Sequence, residues 1–141
     1  MMINFFLLGQ ISTISKYFDV TIITNVKSGT TKLKKSALPN SVKIINVGLE
    51  REIYIFRDLI ALLTLVKIFR RNKYDIVHSI SPKAGLLTQI SARIAGIKIR
   101  LHTFTGQVWA VKTGFTRYLF RLIDVIIVKL STMVLLDSYT Q

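Results

Sequence analysis

Tyr74-Asp-Ile-Val-His-Ser-Ile-Ser-Pro-Lys-Ala-Gly85 opens, and Ile97-Lys-Ile-Arg-Leu-His-Thr-Phe-Thr-Gly-Gln-Val-Trp109 closes, the stretch on which the fold turns. Asp75–His78 is short, apolar and β-branched, which predicts a buried strand. Ser81-Pro82 then suits a helix start, because the hydroxyl can cap free N–H groups and proline fits the first turn. The helix is expected to run to about Ala95, where Gly96 ends it. Ile97–Thr103 predicts the next strand, and Phe104–Gly114 a loop. Strand, helix and strand in this order make one parallel crossover unit. Both histidines of the chain, His78 and His102, fall in its two strands.

The flanking sequence repeats the alternation. Asn4–Tyr17 places Phe5, Leu8, Ile11 and Ile14 on one helical face. Asp19–Thr24 and Val42–Val47 read as strands, and Arg57–Arg71 and Phe115–Leu130 as helices. Thr132–Leu136 reads as a fifth strand. On the Arg57–Arg71 helix, Arg57, Ala61, Thr64, Lys67 and Arg71 are expected to form a narrow polar stripe, with leucines and isoleucines over the rest. So apolar a helix either has a second partner or touches lipid. Alternating elements predict one α/β domain over residues 1–141, built on a parallel sheet with helices on both faces. Ligands of such sheets bind at the carboxyl ends of the strands. His78, Ser79, Ser81, His102, Thr103, Thr105 and Asp137 all fall there.

Twenty lysines and arginines stand against seven acids, a net charge of +13, and the mean hydropathy is +0.45. The charge favours an anionic partner. Basic and apolar together fit a peripheral membrane protein better than a nucleic-acid binder, for which recognition helix and stacking platform are both missing. Lys27, Lys32, Lys34 and Lys35 form an acid-free basic segment, and Arg70 and Arg71 end a helix. These six are the expected membrane-facing residues, the alternative being a solvated loop and an ordinary helix end. No cysteine is present, so disulfides and cysteine-ligated metal are excluded. No His/Asp/Glu spacing calls for a metal, and no cofactor is expected. The apolar runs Ile53–Phe69 and Leu119–Leu136 are both broken by charges and read as buried or interfacial helices.

Ser81, Lys83 and Gly85 put a hydroxyl, a cation and a small residue at a helix start. That arrangement suits a phosphate or carboxylate, or is an ordinary strand-to-helix turn. The spacings of a P-loop and of Gly-x-Gly-x-x-Gly are absent. His102, entering a loop with Thr103, Thr105, Gly106 and Gln107, is either a base or hydrogen-bonding group for a substrate hydroxyl, or a structural histidine. Trp109 is a sugar-stacking platform or a half-buried aromatic. His78 is expected to be structural.

Taken together, Asp75–Leu87 and Ile99–Trp109 resemble the N-terminal domain of bacterial family-four glycosyltransferases, the retaining enzymes of capsule, O-antigen and exopolysaccharide assembly. The likeness extends over nearly the whole chain, including Asp19–Asn25 and the Arg57–Leu63 helix. It implies a Rossmann-like domain, the N-terminal half of a GT-B fold. It also implies a UDP-sugar or similar nucleotide-sugar donor, and a lipid-linked saccharide acceptor at the cytoplasmic face of the plasma membrane. By the same resemblance His102 is the expected catalytic residue. Ser81, Lys83, Gly85, Thr103, Thr105, Gly106, Gln107 and Trp109 are the expected substrate-binding set. The family's first strand and its donor-binding second domain have no counterpart in this sequence, so the chain is expected to be a truncated form, inactive alone. A non-catalytic membrane- or partner-binding module on the same fold is the alternative.

Overall fold

The computed structural model describes residues 8–26, 38–50, 52–106 and 108–137. Among these residues five parallel-paired strands and four α-helices follow one another in the expected alternation: α1 Leu8–Ile14, β1 Thr21–Thr24, β2 Lys43–Asn46, α2 Ile55–Asn72, β3 Ile76–Ser79, α3 Pro82–Ile94, β4 Ile99–Phe104, α4 Gly114–Leu130 and β5 Met133–Leu136. The α/β, Rossmann-like class is as the sequence predicts. The chain divides into two compact units, residues 1–50 and 51–141.

In the first unit β1 and β2 pair in parallel, Thr21 opposite Lys43 and Thr24 opposite Asn46. The side chain of Asn46 accepts the Val26 N–H at 2.9 Å, which turns the chain out of β1. Strand β1 is half-buried along its whole length rather than fully buried. The expected helix over Asn4–Tyr17 is present from Leu8, and its first residues lie outside the described set.

In the second unit the strand order is β3-β4-β5, all parallel. With sequential order and the usual right-handed crossovers, α3 and α4 must fall on the same face of the sheet. They do, and α3 packs between α2 and α4. Phe104, Ile123 and Ile127 form the core under α4, with Leu86, Leu119, Phe120 and Val134 closing around them. At the α2–α3 seam Ala61, Ser91 and Ala92 are buried, and the Ser91 hydroxyl donates to the Leu62 carbonyl at 3.2 Å. Small residues on both helices permit that approach. Along β4, Arg100, His102 and Phe104 point into the helix-covered face. The other face presents Ile76, Ile99, Met133 and Leu135, all exposed. Helix cover on that second face is not found among the described residues of this unit.

Helix ends follow local rules. Gly96, at φ +81°, and Gly114, at φ +58°, take the left-handed backbone that ends α3 and begins α4. Lys73 ends α2 in the left-handed region at φ 50° without being glycine, and its N–H donates to the Phe69 carbonyl. Among the described residues buried Arg100 has no acid paired with it. Its guanidinium donates to the carbonyls of Leu130, Ile97 and Lys98, tying the end of α4 to the α3–β4 loop. A cation at a helix C-terminus is favoured by the unpaired carbonyls there.

The expected polar stripe of α2 is not its outward face. Ala61 is buried in the α3 seam, whereas Phe56, Leu59, Ile60 and Leu63 are exposed, with Lys67, Arg70 and Arg71 on the following turns. The seam selects small residues over polar ones, so polarity alone misplaces the face.

Candidate active-site rim

The carboxyl ends of β3, β4 and β5 bring Ser79–Ser81, Phe104–Gly106 and Leu136–Asp137 to one edge of the second unit, with the Asp137 N–H 3.4 Å from the Phe104 carbonyl. Ser81 occupies the N-cap of α3 in extended backbone, and its side chain makes no cap hydrogen bond. Lys83 is drawn toward α2. Its ammonium lies 2.6 Å from Asp58 and donates to the Glu52 carbonyl. Asp58 also accepts the Tyr54 N–H at 3.1 Å, so one carboxylate serves both the start of α2 and Lys83.

Behind the rim is a buried polar cluster. The sequence places His102 at the end of its strand. The structure places it two residues inside, with no exposed surface. Its Nδ1 lies 2.8 Å from Ser79 Oγ. The Gln89 amide donates to Ser79 Oγ at 2.9 Å and to the Leu101 carbonyl at 2.8 Å. The carbonyl fixes which way the Gln89 amide points, and the serine proton is then free for Nδ1. Burial, and to a smaller degree the nearby His78, hold His102 down to about 4. The ring is therefore neutral at physiological pH. His102 Nε2 and Gln89 Oε1 have no hydrogen-bond partner among the described residues.

Gly85 belongs to this cluster rather than to a surface turn. A Cβ there would stand 2.5 Å from His102 Cε1 and 2.9 Å from Nδ1. The glycine is required because α3 crosses directly over the imidazole. Buried and without side chain, Gly85 contributes to the rim by letting the helix come close. A direct contact between His102 and a substrate would need surface that the ring does not have.

His78 is on the opposite face of the same strand pair, 2.7 Å from the Thr103 hydroxyl through Nε2. Part of its ring is exposed, yet burial of the remainder lowers its pKa. Thr105 and Gly106 follow β4, Thr105 exposed and Gly106 at φ +138°, a backbone that favours glycine. Gln107, Lys27, Lys32, Lys34 and Lys35 lie outside the described residues. Arg70 and Arg71 are exposed at the end of α2, with an Arg70 Nη 3.4 Å from the Ile94 carbonyl.

Trp109, in a short 3-10 turn over Val108–Val111, is half-buried against α4. The guanidinium groups of Arg117 and Arg121 lie 5.5 and 5.9 Å from the centre of its ring. The Trp109 indole donates to Asp124, whose pKa is raised by burial and drawn back by that bond. No acid occurs in the sequence between Asp75 and Asp124. The ends of β3 and β4, the loop after β4 and the first turns of α4 therefore carry no acid, whereas Asp137 follows β5. Gln89 is the residue of the buried polar cluster that the sequence reading misses, and Ser79 is placed at a strand end there without a role. Gln89 lies one turn after Gly85 on the face of α3 that is buried, and a polar residue on such a face needs a buried partner.

Comparison with known proteins agrees with this architecture. The family model described as "Glycosyl transferase 4-like" matches residues 2–136. The chain belongs to this glycosyltransferase family. It is 30% identical over 120 residues to the Escherichia coli UDP-Gal:alpha-D-GlcNAc-diphosphoundecaprenol alpha-1,3-galactosyltransferase, covering 84% of this chain and 30% of that protein. It is 35% identical over 78 residues to the Staphylococcus aureus capsular polysaccharide biosynthesis glycosyltransferase CapM, covering 55% of this chain and 20% of that one. The chain thus spans less than a third of the length of these relatives. No solved structure matches it.

Proposed function

We propose that the chain is the acceptor-binding half of a retaining glycosyltransferase. The whole reaction would move a sugar from a nucleotide-sugar, UDP-linked, to a lipid-linked saccharide in surface-polysaccharide synthesis. The carrying observation is the match of most of this chain to a relative named for a UDP-sugar and a diphosphoundecaprenol-linked acceptor. In this reading the rim residues Ser81, Thr103, Thr105, Gly106 and Trp109 meet the acceptor. Gln107 joins them by its place in the sequence. Trp109 offers a ring face for a sugar, and the acid-free run from β3 to α4 favours a diphosphate. His102 acts from behind the rim. Neutral and locked to Ser79, it fixes β4 under α3 and so holds the Thr103–Gly106 segment in place.

A protein with +13 charge and positive mean hydropathy is suited to the inner face of the plasma membrane as a peripheral protein. None of the described helices is long and apolar enough to cross a membrane. The chain is inactive alone in this reading, because stabilisation of the departing nucleotide diphosphate needs groups aimed at it from the donor side. Titration of the purified chain with undecaprenyl-diphosphate-N-acetylglucosamine and, separately, UDP-galactose tests both points. The expected result is saturable binding of the lipid-linked saccharide and no sugar transfer when both are present. Absence of acceptor binding would overturn the acceptor assignment, and transfer by the chain alone would overturn the inactivity.

A further inference from the structure

Gln89 has no exposed surface and lies on the face of α3 that covers β4, one turn after Gly85. Its amide nitrogen makes two hydrogen bonds, to Ser79 Oγ at 2.9 Å and to the Leu101 carbonyl at 2.8 Å. Both protons of that nitrogen are thereby used. Ser79 has one proton and two acceptors within reach, His102 Nδ1 at 2.8 Å and the Leu101 carbonyl at 3.4 Å. The carbonyl is the more distant of the two and already takes the Gln89 amide. The serine proton therefore goes to Nδ1. A neutral imidazole that accepts at Nδ1 carries its own proton on Nε2.

The opposite arrangement is chemically open. Nδ1–H would donate to Ser79 Oγ, whose two lone pairs can take the imidazole and the Gln89 amide together. Serine would then turn its proton to the Leu101 carbonyl. What weighs against this is the amide that Gln89 holds on that carbonyl. Nε2 does not decide between the two, because it has no partner among the described residues whichever form the ring takes. The choice is made at Nδ1, and Gln89 makes it from the far side of the serine.

We propose that Gln89 is a positioning residue which, through Ser79, sets the tautomer of His102, with Nδ1 as acceptor and the proton on Nε2. An imidazole in that form can donate at Nε2 and cannot take a proton there. Of the two functional roles that the sequence leaves open for His102, general base and hydrogen-bonding group, only the second is then available at Nε2. The group it suits is an oxygen that accepts. This tautomer is a property of the chain by itself, whether or not the chain binds an acceptor saccharide.

Proton–nitrogen NMR of the full chain at pH 7, with isotope-labelled histidine, tests it, because protonated and bare ring nitrogens resonate far apart. His78→Gln tells the two rings apart. The parent is expected to show His102 with Nδ1 bare and Nε2 protonated. Gln89→Met keeps most of the side-chain bulk and frees the Leu101 carbonyl. It should move the tautomer ratio toward Nδ1–H by about fivefold, the worth of one ordinary hydrogen bond. In a Ser79→Ala background the same Gln89→Met change should leave the ratio where it was. Circular dichroism checks that each variant is folded, and the parent spectrum, which needs no substitution, supports or refutes the tautomer on its own. A parent with Nδ1 protonated overturns the proposal. So does a ratio that Gln89→Met leaves unchanged, or one that it shifts equally when Ser79 is absent.

Discussion

The two histidines stand on neighbouring strands, close enough that His102 feels the charge of His78, and they differ in which way the pleat turns them. His102 points under α3, loses all contact with water and takes Ser79 as its partner. His78 points to the bare face of the sheet, keeps an exposed edge and bonds the Thr103 hydroxyl. Residue type and position relative to the strand end are nearly the same for both. Orientation decides that one belongs to the core and the other to the surface. A histidine at a ligand-binding rim is therefore not yet a substrate contact. Strand parity must be settled first.

The strongest test of the difference is acid. An ordinary histidine in the unfolded chain has a pKa of 6.5, and folding holds His102 down to about 4. Above pH 6.5 the ring is neutral in both states and its cost is nil. As pH falls from 6.5 toward 4 the unfolded chain takes up a proton that the folded chain refuses, so stability is lost across that window. Below about 4 both states are protonated and this loss levels off. The expected loss is about 3 kcal/mol. Urea denaturation at a series of pH values measures it, and His102→Gln should flatten the curve between pH 4 and 6.5. An unchanged curve would mean that His102 is not the buried base described here.

Gly85 probes the same contact from the helix side. Alanine there drives its methyl into an imidazole that is fully buried and hydrogen-bonded, and the expected destabilisation is about 2–3 kcal/mol. Adding His102→Ala removes the obstacle. The double variant should therefore be less destabilised than the sum of the two single ones. Strict additivity in the denaturation midpoints would show that Gly85 is needed for some other reason.

The fold was the more legible part of this molecule, because every α-helix and strand past residue 50 announces itself through period and punctuation, whereas the 3-10 turn Val108–Val111 falls in an expected loop. Ser81-Pro82, Gly96 and Gly114 bound their helices within a residue or so of where composition puts them. The site was legible only to its edge. Thr103 could be placed at the end of a strand from the sequence, and Thr105, Gly106 and Trp109 after it, but the Ser79–His102–Gln89 cluster could not. It joins residues 10 and 23 positions apart across one crossover, and their hydrogen bonds depend on register and helix rotation. The outward face of α2 was hidden for the same kind of reason. Which stripe of an almost wholly apolar helix faces inward is decided by the small residues of its neighbour, and those are invisible from α2 alone.

Ser79→Ala separates the cluster from the steric contact. It leaves the Gly85–His102 approach intact and removes the hydroxyl that Gln89 and His102 share. Losing a buried hydrogen-bonding group of this kind is expected to destabilise by about 1–2 kcal/mol. Chemical denaturation at pH 7, where the ring is neutral in both states, reads this without the acid effect.

The smallest expected change comes from His78 and sharpens the comparison most directly. Its ring is partly exposed and its hydrogen bond to Thr103 competes with water, so His78→Ala should cost under about 1 kcal/mol. Its second effect is on the other histidine. The charge of His78 is one of the two causes that hold the His102 pKa down, after burial. Removing it should let His102 take its proton at a slightly higher pH. The folded pKa then moves back toward the unfolded one, and the stability lost on acidification shrinks. Proton NMR titration of the His102 ring measures the shift, with denaturation across the same pH range as its thermodynamic counterpart. A His102 pKa that does not move, or that falls, would show that the two rings are electrostatically independent and that burial alone sets the difference between them.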